Sequence, residues 1–129
     1  MKIIENDSIK YWIEDEILFS EFKKPTNITL KNTKEFIALR HQISNNEKQY
    51  LCFDIKKAKS FPKEAREYVN IHGQDFLYAR AVIVHSHIQM FMLNSLLKIS
   101  TPIIPLKGFN KKEKAVKWLK ELKQKNGMK

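Results

Sequence analysis

Cysteine is nearly absent from this sequence. Cys52 stands alone, so no internal disulfide can form. It sits in an apolar run, where a free cysteine packs as a small hydrophobe; a reactive thiol needs exposure and a positive setting. Glycine is scarce as well, with three in 129 residues. Phosphate-cradling Gly motifs and the nucleophile elbow with its oxyanion loop are therefore missing. A long hydrophobic run is also lacking. The most apolar stretch, Ala79–Ser100, is broken by Arg80, His85, Ser86, His87, Gln89 and Asn94, which rules out a membrane span. The opening MKIIENDSIKYW loses its apolar character at Glu5, Asn6 and Asp7. A secretory signal is not expected there, and a cytoplasmic location is.

Acidic residues are in deficit: 14 Asp and Glu face 24 Lys and Arg, for a formal charge of +10. Between Lys111 and Lys129 eight lysines stand against Glu113 and Glu121. The excess thus belongs largely to one terminal helix from about residue 110, whose lysines form a solvated outer face. With few arginines and no recognisable nucleic-acid motif, specific nucleic-acid binding is not expected. The length suits a single domain over 1–129, large enough to bury a core without metal or disulfide support.

What is present is an alternation of strand and helix signals. Lys2–Glu5 reads as an edge strand. Ile9–Ile13 and Ile17–Phe22 flank the acidic turn Glu14-Asp15-Glu16 and make a hairpin, with Trp12 facing away from Tyr11 and Ile13. Lys23–Ile28 is a loop, and Thr29 caps a helix over Leu30–Ser44 with Phe36, Leu39 and Ile43 on one face. The run Tyr50–Ile55 is a buried strand with Asp54 near its end. A basic connector, Lys56–Ser60, leads to Pro62 in the first turn of a helix that ends at His72-Gly73, where Gly supplies a left-handed cap. Ala79–Val84 is a second buried strand. Ser86-His-Ile-Gln89 reads as a capping box for a helix carrying Ile88, Phe91, Met92, Ser95, Leu96 and Ile99 as one stripe. Thr101-Pro102 stops it. Ile103–Phe109 contains Pro105 and belongs at a sheet edge or start. Asn110-Lys-Lys-Glu113 is a further capping box, opening a helix with Ala115, Trp118, Leu119 and Leu122 inward. The order implies a sheet covered by helices through right-handed crossovers.

Chemistry-bearing residues are few. His85-Ser-His87 ends a strand, but an H-x-H pair lacks zinc-motif spacing, and polar loop residues beside a capping Ser account for it. Ser86, His85 and Asp54 could be imagined as a triad, yet nothing supplies an oxyanion hole. No catalytic residue, metal or cofactor is expected.

Three features carry a resemblance: the N-terminal hairpin, the strand YLCFDI running through a short connector into a helix, and the ending GFNKKEKAVKWLKEL. Together they resemble a STAS-type domain, the SpoIIAA-like α/β fold of anti-sigma-factor antagonists, with a mixed sheet and about four helices packed on it. The resemblance implies a non-enzymatic regulatory module in a bacterial cytoplasm that docks a protein partner through the loop and helix after the central strand. On this chain that surface is Lys56, Lys57, Lys59, Ser60, Lys63 and Glu64. The family's phosphorylated Asp-Ser-Ser-Gly signature falls on about Pro62-Lys63-Glu64-Ala65, where neither Ser nor Gly stands, so the switch does not carry over. Ser60 is the nearby hydroxyl. Phosphate there would meet a helix N-terminus among lysines, although a helix-start or turn role suits its local hydrogen bonding better.

The helix after Ser86 is apolar nearly all round. Its second stripe, Met90, Leu93 and Leu97, suits a buried face or a homodimer interface. Alternatively this helix, with Phe91 and Met92, lines a pocket against the sheet. The fold resembles Sec14-like lipid-binding domains, which implies an apolar small ligand as the alternative function.

Overall fold

The acidic turn sets the first three strands. In the computed structural model, which describes residues 2–99 and 104–127 without the side chains of 97–99, β2 (Ile9–Glu14) and β3 (Ile17–Phe22) pair antiparallel up to Glu14 opposite Ile17. Only Asp15 and Glu16 remain to turn the chain. Both take positive φ, 54° and 63°, as a two-residue turn matching the strand twist demands. The turn is therefore one residue tighter than expected. β1 (Lys2–Glu5) adds antiparallel to β2 at the sheet edge.

From β3 onward the sheet grows in parallel. β5 (Gln49–Asp54) pairs with β3, β7 (Leu77–Ile83) with β5, and β8 (Leu106–Phe109) with β7. The order β1-β2-β3-β5-β7-β8 never reverses. Crossovers of one hand that always step the same way must lie on the same face of the sheet. Accordingly α1 (Leu30–Ser44), α2 (Lys63–His72) and α3 (His87–Ile99) form one layer, with α2 against both neighbours. Beneath them lie Ile9, Tyr11, Leu18, Phe22, Leu51 and Leu77. The opposite face is left to α4 (Lys112–Gly127), which crosses β5, β7 and β8. Its buried Ala115 and Leu119 meet Ile17, Phe19, Tyr50, Cys52 and Ala81. The strands in the middle are apolar on both faces because both are covered.

Local signals held in part. Thr29 caps α1, its hydroxyl accepting from Asn32 N and its own N–H donating to the Asn32 side chain. The connector after β5 is not a plain loop: β6 (Ala58–Ser60) pairs with β4 (Thr26–Asn27) as a small second sheet. Gly73 does close α2, but with φ −72° it is not left-handed. Glycine is required for space, since a Cβ there would sit 2.4 Å from the Val69 carbonyl oxygen. Pro105 stands just before β8, its carbonyl accepting from Arg80 N at 2.9 Å, and β8 is an edge strand as a proline at its start suggests. The stop at Thr101-Pro102, the start of the last strand at Ile103 and the final Met128 and Lys129 lie outside the described residues.

The stripe expected on α3 is turned. Gln89 and Leu93 are buried, whereas Ile88 and Phe91 are 73% and 67% exposed. Ser86 caps the helix, its hydroxyl accepting from Gln89 N at 3.1 Å. The Gln89 side chain then does more than the expected box: its oxygen accepts from His85 N, and its amide donates to the Ile55 and Lys56 carbonyls at 2.7 and 3.0 Å. Three bonds from its side chain to backbone groups hold Gln89 inward. The residues one position before it and two after it must then face solvent, given 3.6 residues per turn.

Candidate functional site

Two places in the molecule gather functional groups. The first is the carboxyl end of the parallel strands, where open α/β sheets present ligands and partners to loops. Asp54 ends β5 there, and His85 follows β7. The His85 Nε2 and the Asp54 carboxylate are 2.7 Å apart, and the same carboxylate oxygen accepts from Lys56 N at 2.9 Å. A carboxylate only accepts, so Nε2 carries the hydrogen. Two members of the imagined triad thus meet. The third does not join them, because the Ser86 hydroxyl serves as the helix cap.

Asp54, without His85, also borders a shallow charged depression lined by Glu5, Lys10, Glu21, Phe22, Lys23, Asp54, Lys56 and Lys57. Lys23 pairs with Glu5 and holds the Glu5 carboxyl below its ordinary range. Lys57 Nζ donates to the Lys23 carbonyl at 3.3 Å. Lys56, Lys57, Lys59, Ser60, Lys63 and Glu64 are all exposed. They do not form one patch of a single kind. Lys56 and Lys57 face the depression, Lys59 and Ser60 lie on β6, and Lys63 and Glu64 open α2. The Ser60 hydroxyl lies 3.4 Å from Asn27 Oδ1, a side-chain contact across the β4–β6 pairing.

The second place is a cavity of about 140 Å³ between the sheet and the layer of α1, α2 and α3. Its wall is mostly apolar, with Phe36, Phe53, Val69, Met92, Leu93 and Leu96 among the lining side chains. The α3 residues singled out from the sequence are split by this geometry. Met92 and Leu93 line the cavity, while Phe91 faces solvent. Met90 is half-buried beside Gly108, whose missing Cβ leaves room for Leu93 to touch β8. The side chain of Leu97 lies outside the described residues.

Two arginines also line the cavity, and sequence reading missed both. Arg40 of α1 and Arg80 of β7 are 3% and 5% exposed. Arg40 donates to the Asp75 carbonyl at 2.6 Å. Arg80 Nε is buried with no hydrogen-bond partner among the described residues, and so is the hydroxyl of Thr33, which lines the same cavity from α1. Burial, then the charge of Arg40, pull the Arg80 pKa down to about 10. At neutral pH both guanidinium groups still carry charge. Neither forms an ion pair with a carboxylate among the described residues; Asp75, whose charge favours the Arg40 cation, is engaged with His72 at 3.7 Å. The only sequence signal was Arg80 in the strand Ala79–Val84, a charge where an all-apolar run belongs.

Elsewhere the chemistry is quiet. Burial pushes the Cys52 thiol up to about 12, far from the thiolate that reactivity needs. Among the described residues no group of His, Cys, Asp and Glu could hold a metal ion, and no helix is long and apolar enough to cross a membrane.

Residues 11–123 match the family model described as Domain of unknown function (DUF7793). The chain belongs to the DUF7793 family. The matched span runs from β2 into α4 and so includes the cavity and the carboxyl end of the sheet alike. The fold of this DUF7793 chain is SpoIIAA-like. A similar solved structure is that of an uncharacterised protein of the DUF3478 family with a SpoIIAA-like fold, from Shewanella loihica PV-4. The two superpose with a TM-score of 0.63 at 16% identity, over 90% of this chain and 97% of that one. No curated protein matches the sequence.

Proposed function

We propose that this chain is a non-enzymatic binding module that docks a cytoplasmic protein partner through the connector of residues 56–64 and the start of α3. One observation carries the proposal. The Gln89 amide grips the Ile55 and Lys56 carbonyls, which locks the basic connector to a helix that presents Ile88 and Phe91 to solvent. Large apolar anchors flanked by exposed lysines fit a partner whose surface is apolar and acidic. The anchors would supply affinity and the lysines the encounter rate. The SpoIIAA-like fold supports a regulatory role without chemistry. The Asp-Ser-Ser-Gly switch has no counterpart here, so control by Ser60 phosphorylation is a separate question for mass spectra of the same sample.

The experiment is affinity capture from native cytosol with the wild-type chain beside two variants, Lys56→Glu/Lys59→Glu and Ile88→Asp/Phe91→Asp. A protein held by the wild type and released by both variants supports the surface. Retention by both removes it. Light scattering on the same samples tests whether the partner is a second copy, since a homodimer through this face would dissociate in the Ile88→Asp/Phe91→Asp variant.

A second reading has its own observation. The cavity beside α3 supports a carrier or sensor of a small, largely apolar ligand. Such sites are concave, apolar and equipped with a few polar groups. Native mass spectrometry of the purified protein tests it: a stoichiometric small adduct supports the reading.

A further inference from the structure

We infer that the cavity between the sheet and the α1–α2–α3 layer binds a small monocarboxylate with a ring or short chain, its carboxylate meeting Arg80 and Arg40. The inference rests on the carrier reading and names the ligand's chemical class.

Size comes first. The cavity measures about 140 Å³, and apolar cavities of roughly 150 Å³ accept a molecule the size of benzene. A six-carbon ring or chain fills such a space, and a long acyl chain does not fit. Charge comes second. A buried cation needs a partner, because leaving water without one carries a large penalty. Here two cations line one cavity, Arg80 from the sheet and Arg40 from the helical layer, and the charge of Arg40 disfavours that of Arg80. Arg40 uses backbone carbonyls of Asp75 and His72. Arg80 Nε has no partner among the described residues, nor does the Thr33 hydroxyl. A carboxylate supplies what is missing: negative charge, and planar acceptors that match the guanidinium fork. A phosphate dianion has the charge but would lose far more hydration against a wall of Phe36, Phe53, Met92 and Leu96. A singly charged head with an apolar body satisfies both halves of the site.

Calorimetric titration of the full chain with benzoate and hexanoate, beside the neutral benzyl alcohol and hexanol and inorganic phosphate, tests this. The expected result is saturable binding of at least one acid, with its alcohol and phosphate at least about tenfold weaker. Arg80→Met should remove that preference. Its folding is checked by circular dichroism, and Arg80→Gln serves if it fails. An alcohol that binds as well as its acid, or phosphate that binds better, overturns the anion assignment and leaves the carrier reading standing. An acid preference that survives loss of Arg80 also overturns it. Binding of no probe at millimolar concentration overturns the carrier reading and the inference together.

Discussion

Gln89 directs its one side chain at three backbone groups of two neighbouring segments, and is 6% exposed while doing so. A leucine of similar volume would leave His85 N and the Ile55 and Lys56 carbonyls unpaired in a part-buried place. Each unsatisfied buried group costs about 1–3 kcal/mol. Gln89→Leu is therefore expected to lower stability by about 2–4 kcal/mol, read from the midpoint of urea unfolding at unchanged slope. Two buried acids act in the opposite pH range from most. Tyr11, whose hydroxyl donates to the Phe36 carbonyl, is pushed up to about 12 by burial, and Cys52 likewise. Folding thus favours their neutral forms. That contribution is complete below the ordinary values of 9.0 for Cys52 and 10.0 for Tyr11. It is lost as pH rises from there toward 12. Stability should fall steeply across this alkaline window, and Tyr11→Phe should flatten the part above pH 10; an unchanged slope in the variant would sink the assignment. In the native state Cys52 should resist thiol reagents until the chain unfolds.

At the scale of elements, the turn between β2 and β3 is held in a backbone region that Asp15 and Glu16 tolerate poorly. Asn-Gly is the preferred pair for such a turn. Asp15→Asn/Glu16→Gly should relieve about 1 kcal/mol of strain. The exposed pairs Lys120–Asp15 and Lys123–Glu16 would be lost, and exposed pairs are worth little. A net gain in melting temperature is expected, and in high salt the gain should grow because the lost pairs are then already screened. Much of this scale was legible in the sequence. The hairpin, the Thr29 cap, the strand Tyr50–Ile55 and the Ser86 cap all rest on local patterns that the structure keeps. The rotation of α3 was not legible. Periodicity offers Ile88 and Phe91 for burial, and only a long-range bond from Gln89 to the connector, 33 and 34 residues away, decides against them. The pairing of β4 with β6 was hidden for the same reason, since two or three residues carry no period of their own.

The whole molecule is two-sided in an unequal way. Three helices cover one face of the sheet, and α4 alone covers the other over Phe19, Tyr50, Cys52, Ala79 and Ala81. A chain ending at Asn110 would bare that apolar face. It should be recovered aggregated or as a dye-binding collapsed state, and adding a peptide of residues 111–127 during refolding should restore soluble protein. The candidate sites were legible unequally too. Asp54, the connector lysines and their neighbour His85 stand where a strand–loop–helix pattern puts them. Arg40 and Arg80 line one cavity only because the helical layer closes over the sheet, a fact of tertiary packing that no spacing encodes.

The position of α4 has a consequence for how the chain is made. Every strand of the sheet precedes it in sequence, and the ribosome delivers segments in that order. The helical layer over α1, α2 and α3 can close while synthesis continues. The other face has to wait, with Cys52 open to oxidants and Phe19 open to chaperones, until some twenty further residues emerge. Docking of Ala115 and Leu119 against Ile17, Phe19 and Cys52 then closes that face.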